Sequence, residues 1–516
     1  MASSPVHAVV CRDLSFAWPD GTAVLDHLDA AFGAGHTGLV GRNGSGKSTL
    51  LRLIAGELNP AGGALSVSGE VASLPQHLPL DTARTIGDLL GITARRRALH
   101  AITAGDASVD QFYALDDDWD VEGRALAVLT RFGVPAELDR TVGTLSGGEA
   151  VLTGIAGLLL RRAAITLLDE PTNNLDRPAR DVLYRAVETW PGVLIVVSHD
   201  RELLECIDQI AELRDGSIRT YGGTFAAYQQ VLATEQEAAE RLVRNAEGSL
   251  ALERRQQIEA QTKLDRRART GRKAEREKRV DKAEAHKRRA QAQVSAAKYR
   301  GLQSDRVESA REALTAAEDN VREDDRIKIT LPRTAVPNGR TVLVLDDVVV
   351  RGPERIALCG RNGSGKTTLL RRILRERPGV PVGYLPQRLD VLDPALSVLD
   401  NVRAVAGSVT PHEIRAELAR FLLRGDRVEQ RAATLSGGER FRATLACLLL
   451  ADPAPQLLLL DEPTNNLDLD SVEQLVAALR AYRGALIVAS HDEALLAELR
   501  ITRNWELDGG LRDVGA

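Results

Sequence analysis

The sequence has 516 residues, 44% of them hydrophobic, and a formal net charge of −5, which is typical of an ordinary globular protein with two or three domains. Its apolar runs are far shorter than the roughly 20 residues that cross a bilayer, so the chain carries no transport pathway of its own. No basic-then-apolar leader begins the chain, and its cysteines lack disulfide-type or metal-type spacing. We therefore expect a cytoplasmic protein whose cysteines are small buried hydrophobic residues. The cysteines are Cys11, Cys206, Cys359 and Cys447.

The first half contains a phosphate-binding loop at residues 41–48, GRNGSGKS, preceded by an apolar segment. Glycines let consecutive backbone N–H groups curl around a polyphosphate, the following helix adds its positive end, and the lysine reaches the terminal phosphates. A structural Gly-rich turn is the alternative, but it does not explain why the octapeptide recurs later with only its last residue changed, from serine to threonine. The expected nucleotide ligands are Gly41, Asn43, Gly44, Ser45, Gly46, Lys47, Ser48 and Thr49, with the Ser48 hydroxyl on Mg²⁺.

Four further segments follow this loop. They are LPQ ending at Gln76, LSGGE at residues 145–149, an apolar run into DEPTNNLD at residues 169–176, and SHD around His199. The apolar run predicts a buried strand that ends at Asp169, which would orient Mg²⁺, and Glu170, which would polarise the attacking water. Ser146, Gly147 and Gly148 offer a hydroxyl and unobstructed backbone N–H groups to a phosphate, at the expected start of a helix.

The segment from residue 224 to about residue 327 lacks proline and is rich in Ala, Glu, Arg, Gln and Lys, a composition typical of long helices. Two apolar stripes with steps of three and four residues predict an antiparallel helical hairpin. The stripes are Leu232, Ala239, Val243, Ala246 and Leu250, and Val307, Ala310, Leu314, Ala317 and Val321.

Between the stripes, residues 254–289 contain fifteen Lys or Arg and six Asp or Glu, a local balance of +9 that leaves −14 for the rest of the chain. Such a run is either a solvated helix face or a contact for nucleic-acid phosphates, and its segregation on an acidic protein favours the phosphate contact. Aromatic residues are absent apart from Tyr299, so stacking on single-stranded bases is not expected.

The second half repeats the same segments in the same order. Its phosphate-binding loop predicts nucleotide contacts by Gly360, Asn362, Gly363, Ser364, Gly365, Lys366, Thr367 and Thr368, with Thr367 on Mg²⁺. The remaining equivalents are Gln387, Ser436, Gly437, Gly438, Asp461, Glu462 and His491.

The LSGGE segments resemble the signature of ATP-binding cassette (ABC) ATPases. In that family two nucleotide-binding domains sandwich two ATP molecules, each between the P-loop of one domain and the signature of the other. The resemblance implies two composite sites, one with Lys47 and Ser436 and one with Lys366 and Ser146. It also implies nucleotide and Mg²⁺ binding by Gln76 and Gln387, and catalytic roles for His199 and His491.

Tandem cassettes, a charged helical linker, DEPTNNLD in both halves and the linker entry YGGTF with Tyr228 resemble the ABC-F family. The resemblance implies an α/β fold with ABC nucleotide-binding domains at residues 1–223 and 328–516, joined by a long α-helical hairpin linker at residues 224–327. It implies a monomeric ATPase that uses ATP and Mg²⁺ and binds the exit site of the bacterial 70S ribosome. The linker tip, residues 254–300, would reach rRNA, the peptidyl-tRNA and the peptidyl-transferase centre.

Family members regulate translation or dislodge antibiotics, and the sequence does not distinguish these roles. An ATPase subunit of a membrane importer or exporter is one alternative, although it needs no charged linker of about 100 residues. A DNA-associated ABC ATPase is another, because a basic tip does not distinguish RNA from DNA.

The halves also differ. Trp18 lies where the family has its adenine-stacking aromatic residue, whereas residues 328–355 contain no aromatic residue. Arg442 follows the second signature, and Leu152 takes its place in the first. Both differences weaken the Lys366 site, so we expect the Lys47 site to turn over faster. Residues 105–120 are an insertion present only in the first half, either an enlarged loop or a partner-contacting arm.

Overall fold

The computed structural model describes residues 9–76, 82–106, 108–173, 175–276, 282–319, 331–376, 378–407, 409–465 and 467–515. Side chains at residues 267, 268, 271–294, 296, 319 and 332 lie outside this description. By its contacts the chain forms two compact units: Met1–Phe225 together with Asp325–Ala516, and Ala226–Asp324. The first unit contains both cassettes, and the second is the helical linker.

The first cassette mixes strands and helices as the repeated motifs predict. Its elements are β1 Val9–Ala17, β2 Ala23–Phe32, β3 Gly35–Val40, α1 Lys47–Ile54, β4 Gly62–Val67, β5 Val71–Leu74, α2 Ile86–Leu90, α3 Thr93–Thr103, α4 Val109–Leu115, α5 Val121–Arg131, α6 Gly147–Arg161, β6 Ile165–Asp169, α7 Arg177–Glu188, β7 Val193–Val197, α8 Arg201–Glu205, β8 Gln209–Arg214 and β9 Ser217–Gly222. The predicted 105–120 insertion contains the short helix α4, whose Phe112 and Tyr113 side chains are exposed.

The sheet that positions the site has the strand order β5-β6-β7-β3-β8-β9. All neighbouring pairs are parallel except β8 and β9. Every residue of β6 and β7 is buried, and continuous apolar runs are typical of parallel strands that are covered on both faces. The predicted strand before Asp169 is therefore confirmed.

The linker consists of two long helices, α9 Phe225–Arg276 and α10 Lys282–Asp319. The predicted upstream stripe is less exposed than its helical neighbours, with Ala239 and Leu250 buried. The downstream stripe is likewise half-buried from Val307 to Ala317, and Val321 lies outside the described residues. The stripes of the predicted hairpin are thus present on both helices.

The second cassette continues with β10 Thr341–Leu345, β11 Val348–Arg351, β12 Arg355–Cys359, α11 Lys366–Arg375, β13 Val382–Leu385, α12 Val398–Val405, α13 Pro411–Arg420, α14 Gly437–Leu449, β14 Leu457–Asp461, α15 Leu469–Ala481, β15 Ala485–Ala489, α16 Glu493–Glu498, β16 Arg503–Leu507 and β17 Leu511–Gly515. Its main sheet has the equivalent order β13-β14-β15-β12-β16-β17.

The smaller antiparallel sheets of the two cassettes differ. The first cassette has three strands, β2-β1-β4, whereas the second has the two short strands β10-β11 among its described residues. In the first cassette this sheet leads into Trp18, which packs edge-on against Phe16 with a ring-centroid distance of 5.1 Å. The missing aromatic residue of the second half thus accompanies a shorter antiparallel sheet.

None of the described helices is long and apolar enough to cross a membrane. The four cysteines are free; Cys11 and Cys447 are buried, as predicted, whereas Cys206 and Cys359 are only half-buried. Burial raises the pKa of the Cys11 thiol to about 11, so that thiol is uncharged at neutral pH and behaves as an apolar side chain.

Candidate active site

Two clusters of predicted site residues form at the carboxyl ends of parallel strands. In the first cassette, the phosphate-binding loop follows β3, Gln76 follows β5, Asp169 ends β6 and His199 follows β7. The second cassette repeats the arrangement after β12, β13, β14 and β15. Because these ends meet at one edge of each sheet, segments far apart in sequence converge on one crevice.

The phosphate-binding loops have the backbone that the motif predicts. Gly41 and Gly46 have φ angles of 152° and 104°, a region that favours glycine. A Cβ atom on Gly41 would also collide with the carbonyl oxygen of Leu213. The hydroxyl oxygens of Ser45 and Ser364 are buried without a hydrogen-bond partner among the described residues. The loops therefore retain donors that a phosphate would satisfy.

The two lysines have different partners. Lys47 Nζ donates to the carbonyl oxygens of Gly41 and Arg42, over 2.7 and 2.9 Å. Lys366 Nζ donates to the Gly360 carbonyl oxygen over 2.7 Å and forms a second 2.7 Å hydrogen bond with Nε2 of His491. Burial lowers the pKa of both lysines.

The carboxylate that ends β14 has the contacts expected of a Mg²⁺-orienting group. Thr367 Oγ1 donates to Oδ1 of Asp461 over 3.2 Å, and the Tyr384 hydroxyl donates to Oδ2 over 3.1 Å. A hydroxyl and a carboxylate at this distance are the oxygen ligands that Mg²⁺ prefers, so the residues fit the ion. Ser73 occupies the position equivalent to Tyr384 in the first cassette.

The next residue in each cassette, Glu170 or Glu462, has a left-handed backbone conformation. Its φ angle is 50° in the first and 46° in the second, and its N–H donates to a carbonyl oxygen of the adjacent strand, Val197 or Ala489, over 2.8 Å. Non-glycine residues seldom adopt this conformation, and they concentrate at functional sites when they do. Burial raises the pKa of Glu170 to about 8 and, in the same direction, that of Glu462.

The histidines lie beside these glutamates. Nε2 of His199 is 3.3 Å from Oε1 of Glu170, and Nε2 of His491 is 3.5 Å from Oε1 of Glu462. Burial lowers the pKa of His199 to about 3 and that of His491 to about 4. Both imidazoles are therefore neutral at pH 7, and Nε2 of His491 can accept the hydrogen bond from Lys366.

The signature serines cap helices, as predicted. Ser146 and Ser436 are the N-caps of α6 and α14, and each forms a reciprocal capping box with the glutamate three residues later. The following glycines are exposed or half-exposed. Their N–H groups at a helix start can bind an anion.

Contacts between the cassettes bring each P-loop to the other cassette. The backbone N–H of Asn43 donates to Asp468 over 2.8 Å, and that of Asn362 donates to Asp176 over 3.4 Å. A Cβ atom on Gly437 would lie 3.8 Å from the Cβ of Asn43. The second signature thus faces the first P-loop, as the composite-site prediction requires.

The comparisons with known proteins agree with this geometry. The family model described as "ABC transporter" matches residues 25–173 and 345–465. The probable ATP-binding protein YheS of Escherichia coli K12 is 32% identical over 92% of this chain and 75% of its own. The tylosin resistance ATP-binding protein TlrC of Streptomyces fradiae is 31% identical over 92% and 93%.

This chain belongs to the ABC-F family of tandem ABC ATPases. Solved structures show the same fold. A structure titled "RNase-L Inhibitor" covers 97% of this chain and 87% of its own with a TM-score of 0.54 at 19% identity. A model titled as ribosome-bound archaeal Pelota and ABCE1 covers 100% and 79% with a TM-score of 0.53, also at 19%.

Two polar residues near the site of this ABC-F ATPase, Arg180 and Tyr184, were not predicted from the sequence. Arg180 pairs with Asp200 over 3.2 Å, and the Tyr184 hydroxyl donates to the same carboxylate over 2.9 Å. Arg180 also lines a cavity of about 50 Å³ between the cassettes, together with Glu170 and residues of the second cassette. The residue equivalent to Arg180 in the second cassette is Val472, so comparison of the two halves does not mark Arg180 as a site residue.

The remaining predicted residues differ in burial. Trp18 is half-buried, Gln76 and Gln387 are exposed, and Thr49 is buried whereas its equivalent Thr368 is exposed. Leu152 is buried in the first cassette, while Arg442 lies close to the second signature, 3.8 Å from the point where a Cβ atom of Gly438 would be. The substitution of arginine by leucine thus removes a cation from the first signature.

Proposed function

We propose that the chain hydrolyses ATP at two composite sites built across the cassettes, with the domain boundaries and ligand sets predicted from the sequence. Each nucleotide would lie between one P-loop and the opposite signature. The distances between Asn43 and Asp468, and between Asn43 and Gly437, support this arrangement for the Lys47 site. The equivalent contact between Asn362 and Asp176 supports it for the Lys366 site.

Within each site different side chains would bind Mg²⁺, accept the proton and orient the water. Asp461 with Thr367, and Asp169 with Ser48, would hold Mg²⁺, which supplies positive charge to the phosphates when bound. Glu170 or Glu462 would accept a proton from the attacking water, which bonds to the γ-phosphorus as the bond to the β,γ-bridging oxygen breaks. The neutral His199 beside Glu170 would orient that water through Nε2, and His491 would do the same once Lys366 leaves its Nε2 for the phosphates.

We further propose that this ATPase acts on the bacterial 70S ribosome. The observation that carries the proposal is the linker: a unit of two long helices whose middle has a charge balance of +9. Arg254, Arg255, Lys263, Arg266 and Arg269 of α9 are all exposed, and exposed cations on a long helix suit RNA phosphates. The rest of the basic segment and the tip lie largely outside the described side chains.

Binding at the exit site, with the tip toward the peptidyl-tRNA and the peptidyl-transferase centre, remains part of this proposal. A relative named for tylosin resistance and a structural neighbour titled as ribosome-bound support a ribosomal target. We infer two possible outcomes of ribosome binding, namely modulation of translation and protection from an antibiotic, with ATP hydrolysis driving release.

The test is the double variant Glu170→Gln/Glu462→Gln, in which phosphate and Mg²⁺ ligands remain but neither glutamate can accept a proton. With Mg²⁺ and ATP it should co-sediment with 70S ribosomes and inhibit cell-free translation, and imaging of the complex would locate the linker tip. The same variant without nucleotide is the control. If the ATP-loaded variant stays in the supernatant, or prefers duplex DNA at equal salt, the ribosomal proposal is wrong.

A further inference from the structure

The two P-loops are held differently by the opposite cassette. Each DEPTNNLD segment begins at the end of a strand and finishes with an aspartate that caps the next helix. These aspartates are Asp176 for α7 and Asp468 for α15. Both aspartates also accept a hydrogen bond from the opposite P-loop, but over 2.8 Å at Asn43 and 3.4 Å at Asn362. The P-loop of the Lys47 site is therefore bound more closely.

An ion pair reinforces the closer contact. Arg42 Nε donates to Oδ2 of Asp470 over 2.9 Å, joining the first P-loop to the first turn of α15. Asp470 is the second residue after the capping Asp468. In the other site, the second residue after Asp176 is Pro178, which has no carboxylate. Arg361 therefore cannot make the equivalent pair.

The signature glycines show the same inequality. A Cβ atom built on Gly437 would lie within 3.8 Å of Asn43, whereas no described atom lies within 4 Å of that point on Gly147. The hydrogen bond and the signature contact are both closer at the Lys47 site, and the ion pair there has no counterpart carboxylate at the Lys366 site. A nucleotide held between a P-loop and the opposite signature can leave only when the two cassettes separate there. The Arg42–Asp470 pair joins the two cassettes and therefore opposes that separation.

We propose that Arg42 and Asp470 are positioning residues that keep the Lys47 site closed over bound ATP, so that this site releases unhydrolysed ATP more slowly than the Lys366 site. Both side chains are about half exposed, 55% and 44%. A partly exposed ion pair changes an equilibrium by about two- to five-fold and weakens as salt rises. The effect is therefore modest, site-specific and salt-sensitive.

The experiment uses full-length Glu170→Gln/Glu462→Gln protein loaded with Mg²⁺ and the fluorescent analogue MANT-ATP, then chased with unlabelled ATP. Hydrolysis is absent, so the signal reports release alone. Two phases of similar amplitude are expected, the slow one from the Lys47 site. Adding Asp470→Asn should accelerate the slow phase about two- to five-fold. Arg42→Gln should do the same, and the two changes together should add nothing further.

Pro178→Asp supplies a matched gain of function. It places a carboxylate opposite Arg361 and should slow the fast phase by a similar factor without changing the slow one. Aspartate suits the first turn of a helix, so the fold should survive, and thermal denaturation would check this. Pro178→Ala removes the proline without adding charge and should leave both phases unchanged. Raising NaCl should reduce the difference in fast-phase release rate between the Pro178→Asp and parent proteins.

Three results would overturn the proposal. A single release phase in the parent would mean that the sites close equally. An unchanged slow phase in a folded Asp470→Asn protein would mean that the ion pair does not hold the site. Equal behaviour of Pro178→Asp and Pro178→Ala would mean that a carboxylate at this position has no effect on release. None of these measurements involves the ribosome, so they are independent of the proposed target.

Discussion

The ionisation of Glu170 can be tested through the pH dependence of ATP hydrolysis. In the single variant Glu462→Gln, the Lys47 site is the one that keeps its glutamate. Burial raises the pKa of Glu170 from 4.5 to about 8. A carboxyl group accepts a proton from water only when it is ionised, so activity should be low below that pKa and rise as pH increases through it.

The size of the rise follows from the pKa. A group with a pKa of about 8 is about one-tenth ionised at pH 7 and about nine-tenths ionised at pH 9, so kcat/KM should increase about tenfold over this interval. An unshifted carboxyl group would be fully ionised throughout and would give a flat profile. Burial also lowers the pKa of Lys47, so loss of its charge should end the rise at higher pH.

The assay is phosphate release at subsaturating ATP, because kcat/KM reports the free enzyme, with ionic strength held constant from pH 6 to 10. The double variant Glu170→Gln/Glu462→Gln supplies the background rate at each pH. A circular dichroism spectrum at each end of the range would show that the protein stays folded. A flat kcat/KM between pH 7 and 9 would refute the argument that burial controls this glutamate.

Three further predictions concern other residues. Glu170→Gln should remove more than half of the ATPase activity and Glu462→Gln less than half, because Trp18 and Arg442 serve only the Lys47 site; equal residual rates in a phosphate-release assay would contradict this. Arg180→Met removes the cation beside the buried Asp200 side chain, which keeps its hydrogen bonds from the Tyr184 hydroxyl and from two backbone N–H groups, so the free energy of unfolding should fall by about 1–3 kcal/mol; urea denaturation would measure it, and a matching loss in Arg180→Lys would show that charge is not the cause. Charge reversal in the linker should weaken ribosome co-sedimentation and flatten its salt dependence, because fewer counterions are released; an unchanged slope would remove the basic segment from the mechanism. The reversed residues are Arg266, Arg267, Arg269, Arg272 and Lys273.

The elements that the sequence predicted are those specified by local pattern. Glycine spacing determines the P-loops, continuous apolar runs determine β6 and β14, and the serine-glycine-glycine-glutamate order determines the capped starts of α6 and α14. Each depends on residues within one turn or one strand. The linker helices followed in the same way from composition and from stripes of apolar residues.

The features that the sequence did not predict depend on packing between distant segments. The pairs Arg42–Asp470 and Arg180–Asp200 join residues 428 and 20 positions apart, and neither has an equivalent in the other half. Comparison of the two halves, the strongest evidence that this sequence offers, cannot identify contacts that occur in only one half. The hydrogen bond between Lys366 and His491 shows the same limit, since both residues are repeated but their contact is not.

The left-handed backbone at Glu170 and Glu462 means that the residue best for stability at these positions differs from the residue needed for activity. Glycine adopts a φ near 50° without strain, so Glu170→Gly should unfold at a higher temperature than Glu170→Ala although neither can assist hydrolysis. A laboratory selection for heat resistance alone would therefore favour glycine at both positions and discard the enzyme's chemistry. Stabilised versions of this protein should be sought with both glutamates held fixed.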